Sequence, residues 1–154
     1  MSVHNVTWYA TASGVASEEV VFDALRWLTG EKAEITREKV RSYHGSRMIM
    51  LKSVLDRKKI ATNSISNLGS QLLKSLEKSE DLETRIDSNN VLHIRLSLAS
   101  LANGDVVLSS RDEEQVKGRM KLEVYPGQLP IEIAKLMLSN AAKIAEENNL
   151  PTAP

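Results

Sequence analysis

The chain is expected to fold as an α+β domain, a predominantly antiparallel sheet with helices packed on one face. Three observations support this. Val6, Trp8 and Ala10, and later Leu92, Ile94 and Leu96, alternate with polar residues, the period-two signature of half-buried strands. Val20, Val21, Ala24, Leu25 and Leu28 recur instead with helical spacing. The resulting order, β-α-β-β-α-β-β-β-α, joins strongly alternating strands, which favours an antiparallel sheet with one covered face.

The first strand is expected over about Val3 to Thr11, followed by a helix from about Ser17 to Thr29. Ser17 suits the N-cap and Gly30 the stop. A second strand is expected over Ala33 to Tyr43 and a third over Arg47 to Leu55, joined by a tight turn at Tyr43-His44-Gly45-Ser46. Gly45 makes that reversal cheap, because glycine enters left-handed conformations without steric penalty. Asp56 is placed to cap a long helix with a stripe through Ile60, Ile65, Leu68, Leu72 and Leu76. Gly69 costs roughly 1 kcal/mol there, and Asn63, Ser64, Ser66 and Asn67 are weak formers, so this element is prone to bend or split.

Residues 77–90 are polar and acidic, ending in an Asn89-Asn90 turn before the strand carrying Leu92, Ile94, Leu96 and Leu98. Asn103-Gly104-Asp105 is the strongest hairpin signal, with Val106 to Leu108 as the return strand. After a charged loop from Ser110 to Gln115, Met120, Leu122 and Val124 mark one more strand. Pro130 opens the C-terminal helix, 130–147, since the first turn needs no donor from it. Residues 148–154 are expected to fray.

Composition narrows the function. At 154 residues, 42% of them apolar, the chain fits a single domain, 1–154, with a real core. Its 20 basic and 20 acidic side chains cancel, which argues against a generic nucleic-acid coat but not against a local patch. Cysteine is absent, removing disulfides, thiolate nucleophiles and Cys-based zinc sites. Without a secretory leader or an apolar run near 18 residues, a cytoplasmic protein with no membrane span is expected.

Searches for chemistry return little. His4, His44 and His93 lack the spacing of a helix-borne metal pair. Asp81, Glu83 and Asp87 match no calcium-loop pattern, the serines have no nucleophile elbow, and Gly14 stands without a phosphate-binding glycine pattern. No catalytic, metal or cofactor site is therefore expected. Trp8 and Trp27 read as core, and Met48 and Met50 as sheet packing.

Basic residues at every second position carry the functional reading. Arg37, Lys39 and Arg41 form one row, Lys117, Arg119 and Lys121 another, His93 and Arg95 a shorter third. Each row should point to one side of its strand. Residues 32–59 hold nine basic side chains against three acidic ones, a net of +6. With helices on the apolar side, the basic side would remain accessible to a polyanion, whose phosphates bind Lys and Arg through counterion release. Tyr43 could stack on an unpaired base while His44 and Arg47 contact phosphate or a base edge. The competing readings are a solvated polar face, a closing aromatic at the hairpin, and pairing of Arg95 with Glu123 or Asp87. The nominated RNA-binding residues are Arg37, Lys39, Arg41, Tyr43, His44, Arg47, Arg95, Arg119 and Lys121. A protein-interaction or assembly module without direct RNA binding is the alternative, resting on the acidic stretch Asp81 to Asp87 and on exposed strand edges.

Several segments carry a family resemblance. They are the opening strand Val3 to Ala12, the hairpin Ser42-Tyr43-His44-Gly45-Ser46, the return through Met48 to Leu51, the run Glu83-Thr84-Arg85-Ile86-Asp87, the strand Leu92-His93-Ile94-Arg95-Leu96, and Gly104 before an apolar strand. Over Val3 to about Leu138 the chain resembles archaeal proteins once grouped as a domain of unknown function and later described as predicted exosome-associated RNA-binding proteins. The resemblance implies an α+β fold like that of ribosomal protein L5. It also implies a non-catalytic RNA-binding role, as an accessory to RNA processing or the archaeal exosome, with RNA, an RNA-processing protein or a second copy as partner. His44 and Gly45 match the family's His-Gly turn, and Arg95 its basic residue on the next long strand. Where the family often has a lysine shortly afterwards, Ser97 stands here, and Leu98 to Leu101 supply no replacement. No nuclease activity is implied.

Overall fold

The opening strand ends up in the middle of the sheet. In the computed structural model, which describes residues 3–12, 17–41, 47–110 and 113–150, β1 (Val3–Ala12) pairs on one side with β3 (Arg47–Leu55) and on the other with β5 (Gln115–Leu122). β2 (Thr36–Arg41) lies outside β3, and β4 (Val91–Ser97) outside β5. The five strands run in the order β2-β3-β1-β5-β4, each antiparallel to its neighbours. The expected α+β class with an antiparallel sheet is borne out.

One face of the sheet is buried. Val6, Trp8 and Ala10 of β1, Leu51 and Leu55 of β3, Leu92, Ile94 and Leu96 of β4, and Val116, Met120 and Leu122 of β5 are inaccessible or nearly so. Helices α1 (Glu18–Thr29) and α2 (Lys58–Ser66) pack on β1 and β3, α4 (Leu98–Ala102) on β4, and α5 (Pro130–Glu147) on β5. α3 (Ser70–Lys78) packs on α5. Trp8 is the centre of this core, as expected. Its Nε1 donates to Ser64 Oγ at 2.9 Å, and Ser64 in turn donates to the carbonyl of Ala61 at 2.8 Å. The indole lies over Gly118, where a Cβ would stand 2.4 Å from a ring carbon. Glycine is therefore required on β5 opposite Trp8.

Most elements follow local chemistry. Ser17 accepts from the Val20 amide at 3.2 Å and Gly30, at φ 90°, ends α1. Within α1, Val20 is 40% exposed and lies off the buried stripe expected to include it. The long helix does split: Leu68 and Gly69 close on the carbonyls of Ile65 and Ser66, and Gly69 at φ 89° redirects the chain into α3. Arg57, not Asp56, takes the N-cap position of α2 and makes no side-chain cap.

The hairpin expected at Asn103-Gly104-Asp105 does not form. Ser97 instead caps α4 by accepting from the Ser100 amide at 3.2 Å, and Asn103 and Gly104 close that helix on Ser100 and Leu101. Leu98 to Ala102 are good helix formers behind a serine cap, and that local preference wins over the turn signal. The return strand is reduced to one bridge, Leu96 to Leu108. At the C-terminus, Asn148 to Leu150 form an ordered cap, with the Leu150 amide on the carbonyl of Ala145 at 2.9 Å. Fraying is thus not seen at 148–150, while 151–154 lie outside the described residues.

Candidate nucleic-acid interface

Register decides which basic residues meet. β5 is anchored by Val116, Met120 and Leu122 in the core, so Lys117, Arg119 and Lys121 point to the opposite, uncovered face. The same alternation sends His93 and Arg95 of β4 there. Successive cross-strand partners then build rows across the sheet. Lys52, Tyr9, Lys117 and Arg95, on β3, β1, β5 and β4, form one row. Val54, Thr7, Arg119 and His93 form the next, and Asn5, Lys121 and Val91 a third. Directly opposed residues stand with Cβ atoms about 4.5–5.5 Å apart, so the cations of adjacent rows make one continuous field.

Five cations stand on the strands of this face, Lys52, Arg95, Lys117, Arg119 and Lys121, with Glu38 as the strand-borne carboxylate among the described residues; Asp81 and Asp87 border it beside Arg95, and Glu113 and Glu114 beside Lys117. In a chain with no net charge overall, cations are thus concentrated on the strands of one face and carboxylates at its margins. Tyr9, half-buried, sits at its centre with the Lys117 ammonium 5.8 Å and the Arg119 guanidinium 5.9 Å from the ring centroid. Both lie within cation–π range.

The row Arg37, Lys39 and Arg41 does not join this face, a correction to the sequence expectation. β2 pairs Arg37 with Leu51 and Lys39 with Ile49, so the row shares the side of the core, while Thr36, Glu38 and Val40 share the open side. Arg37 shows the consequence: its Nε donates to Glu18 at 2.6 Å and its guanidinium lies 4.7 Å from the Phe22 ring, both on α1. Lys39 and Arg41 are exposed beyond the helices. Arg47 of β3 pairs through its backbone with Arg41 of β2, and its side chain is outside the described residues, as are Tyr43 and His44. Of the nine nominated residues, Arg95, Arg119 and Lys121 are brought together on the open face.

The carboxylates offered as alternative partners for Arg95 are engaged elsewhere. Asp87 accepts from His93 Nε2 at 2.8 Å and from the amides of Asn89 and Val91. The His93 hydrogen bond chiefly, with those two amides, holds the Asp87 carboxyl below its ordinary range. Glu123, 4% exposed, is bonded by Lys58 and lies 3.2 Å from His4 Nδ1. The Lys58 hydrogen bond keeps the Glu123 carboxyl low, and the same bond raises Lys58. Asp81, in the acidic stretch of the assembly reading, is lowered first by its hydrogen bond from Ser79 and then by Arg85. Where β4 meets residues 81–87, Thr84, Arg85, His93 and Arg95 line a hollow of about 600 Å³ with Asp81 and Asp87.

Lys52 and Tyr9 are open-face residues that reading by rows missed. Their signal was present: Lys52 is out of phase with Leu51 and Leu55, and Tyr9 with Trp8 and Ala10. Met48 and Met50, expected as sheet packing, are half-buried on the same open face. Among the described residues no group of His, Asp or Glu is arranged to hold a metal ion, and no helix is long and apolar enough to cross a membrane.

Comparison with known proteins places this geometry in a family. Residues 5–122 match the model of a family described as RNA binding. A DUF54 protein from Methanothermobacter thermautotrophicus is similar at 25% identity and TM-score 0.70, over 92% of this chain and 99% of that one. A DUF54 protein from Archaeglobus fulgidus is similar at 24% identity and TM-score 0.71, over 90% and 99%. A UPF0201 protein from Methanococcus jannaschii shares the fold at 12% identity and TM-score 0.59, over 87% and 98%. No curated protein sequence matches. The matched span begins in β1 and ends with β5, taking in every strand of the sheet, and the chain belongs to this RNA-binding family.

Proposed function

We propose that the open face of the sheet binds RNA, chiefly through backbone phosphates, in a binding and not a catalytic role. One observation carries the reading: Lys52, Arg95, Lys117, Arg119 and Lys121 converge from β3, β4 and β5 on the face opposite the packed helices α1, α2, α4 and α5. Membership of a family described as RNA binding supports it. Arg95 and Arg119 offer planar paired donors to phosphate, while the lysines act as point charges. Contacts of this kind set affinity and position without reading sequence.

Titration of a labelled RNA with the whole chain from about 50 to about 200 mM salt tests this reading. Four to five phosphate contacts to a single strand predict a slope of log K on log salt near −3. Binding that ignores salt, or none at low salt, contradicts it. The resemblance to predicted exosome-associated proteins extends the proposal to an accessory role in RNA processing. In that role the chain would bind an archaeal exosome and RNA together, which a binding assay with purified components checks.

A further inference from the structure

Resting on the RNA-binding reading, we infer that the ligand is single-stranded and that an unpaired base stacks on Tyr9. The side chain stands on the central strand, half-buried, so its ring is held by the sheet and is not a mobile surface group. Of the two Phe, Tyr or Trp side chains on the described strands it is the one on the open side, Trp8 being buried in the core, while the His93 ring on the same side is bonded to Asp87. Its position in the charge field matters as much. Lys52 and Lys117 are its direct partners on the two flanking strands, and Arg95 follows Lys117 on β4. A nucleotide seated on the ring therefore has a long cationic side chain on each side for the phosphates that precede and follow it.

Beside the ring a hollow of about 210 Å³ is bounded by Ala10, Thr11, Gln115 and Lys117, with the carboxylates of Glu113 and Glu114 at one end. It is smaller than the ~300–1,000 Å³ of drug-sized pockets, in keeping with one planar base, and Thr11 and Gln115 supply hydrogen-bonding groups at its rim. On β3, Met50, paired with Thr11, and Val54, 54% exposed and paired with Thr7, flank Lys52 with apolar side chains. A duplex can reach the cations but not the ring, because its bases are already stacked on one another. An unpaired base can use both, and aromatic stacking of unpaired bases is a common way in which proteins hold single strands.

The test compares three probes of equal charge: oligo(A) and an abasic ribose-phosphate chain, each about sixteen units long, and an oligo(A)·oligo(U) duplex of about eight base pairs, whose two strands together carry the same number of phosphates. The wild type should bind oligo(A) about 5- to 100-fold more tightly than the abasic chain. Tyr9→Ala should abolish that difference and Tyr9→Phe should keep it, because stacking needs the ring and not the hydroxyl. If Tyr9→Ala misfolds, NMR of the wild type decides: the Tyr9 ring protons should shift upfield with oligo(A) and not with the abasic chain. Unchanged discrimination in Tyr9→Ala, static ring protons, or duplex binding as tight as oligo(A) would overturn stacking while leaving phosphate binding intact. Failure of all three probes would instead reject RNA binding itself.

Discussion

Two basic rows with the same spacing end on opposite sides of one sheet. Lys117, Arg119 and Lys121 face the open side because Val116, Met120 and Leu122 fix the phase of β5 in the core. Arg37, Lys39 and Arg41 face the helix side, where α1 absorbs the first of them through Glu18 and Phe22. β2 has no buried residue of its own, and its register comes from pairing with β3. A period of two shows which residues share a side; only an apolar residue in the opposite phase shows which side that is.

The largest effect expected from breaking the two-sided sheet is on its core. Trp8→Ala should cost about 3–5 kcal/mol in a urea titration, from lost burial, the cavity and the broken bond to Ser64. Its neighbour Tyr9 points the other way, and its replacement should act mainly on RNA binding. Gly118→Ala is next, at about 1–3 kcal/mol, because the added methyl meets the Trp8 ring. Thermal unfolding checks this, and combining it with Trp8→Ala should relieve the penalty, since the clash partner is gone.

The smallest effect concerns the carboxylate that occupies His93. The folded-state pKa of Asp87 is lowered from its ordinary 3.8. As pH falls the unfolded chain therefore takes up that proton first. The stabilisation from the pair is present above the ordinary value and is lost as pH falls through the depressed one. Asp87→Asn should flatten the acid limb of stability between about pH 5 and pH 2, read from urea midpoints at each pH. An unchanged limb would show that the pair contributes nothing to it.

The sequence made the core legible and the surface only partly so. Trp8, the α1 stripe, the Ser17 cap and the break at Gly69 follow from spacing, capping and propensity, which are local. The missed features depend on partners far along the chain. That β1 is central, and hence that Tyr9 lies between Lys52 and Lys117, follows from strand order, which alternation does not encode. The fate of Arg37 is likewise set by Leu51 on β3. At Asn103-Gly104 a strong turn pattern misled because the five residues before it prefer helix.

The central claim is that the β5 row, and not the β2 row, faces the ligand. RNA affinity of Lys117→Ala/Arg119→Ala and of Lys39→Ala/Arg41→Ala, each measured from about 50 to about 200 mM salt, tests it most directly. The β5 pair should lose roughly tenfold at low salt and about 1.4 units of salt slope, with the β2 pair within about twofold of the wild type. Equal losses in both pairs, or a loss confined to the β2 pair, would contradict it.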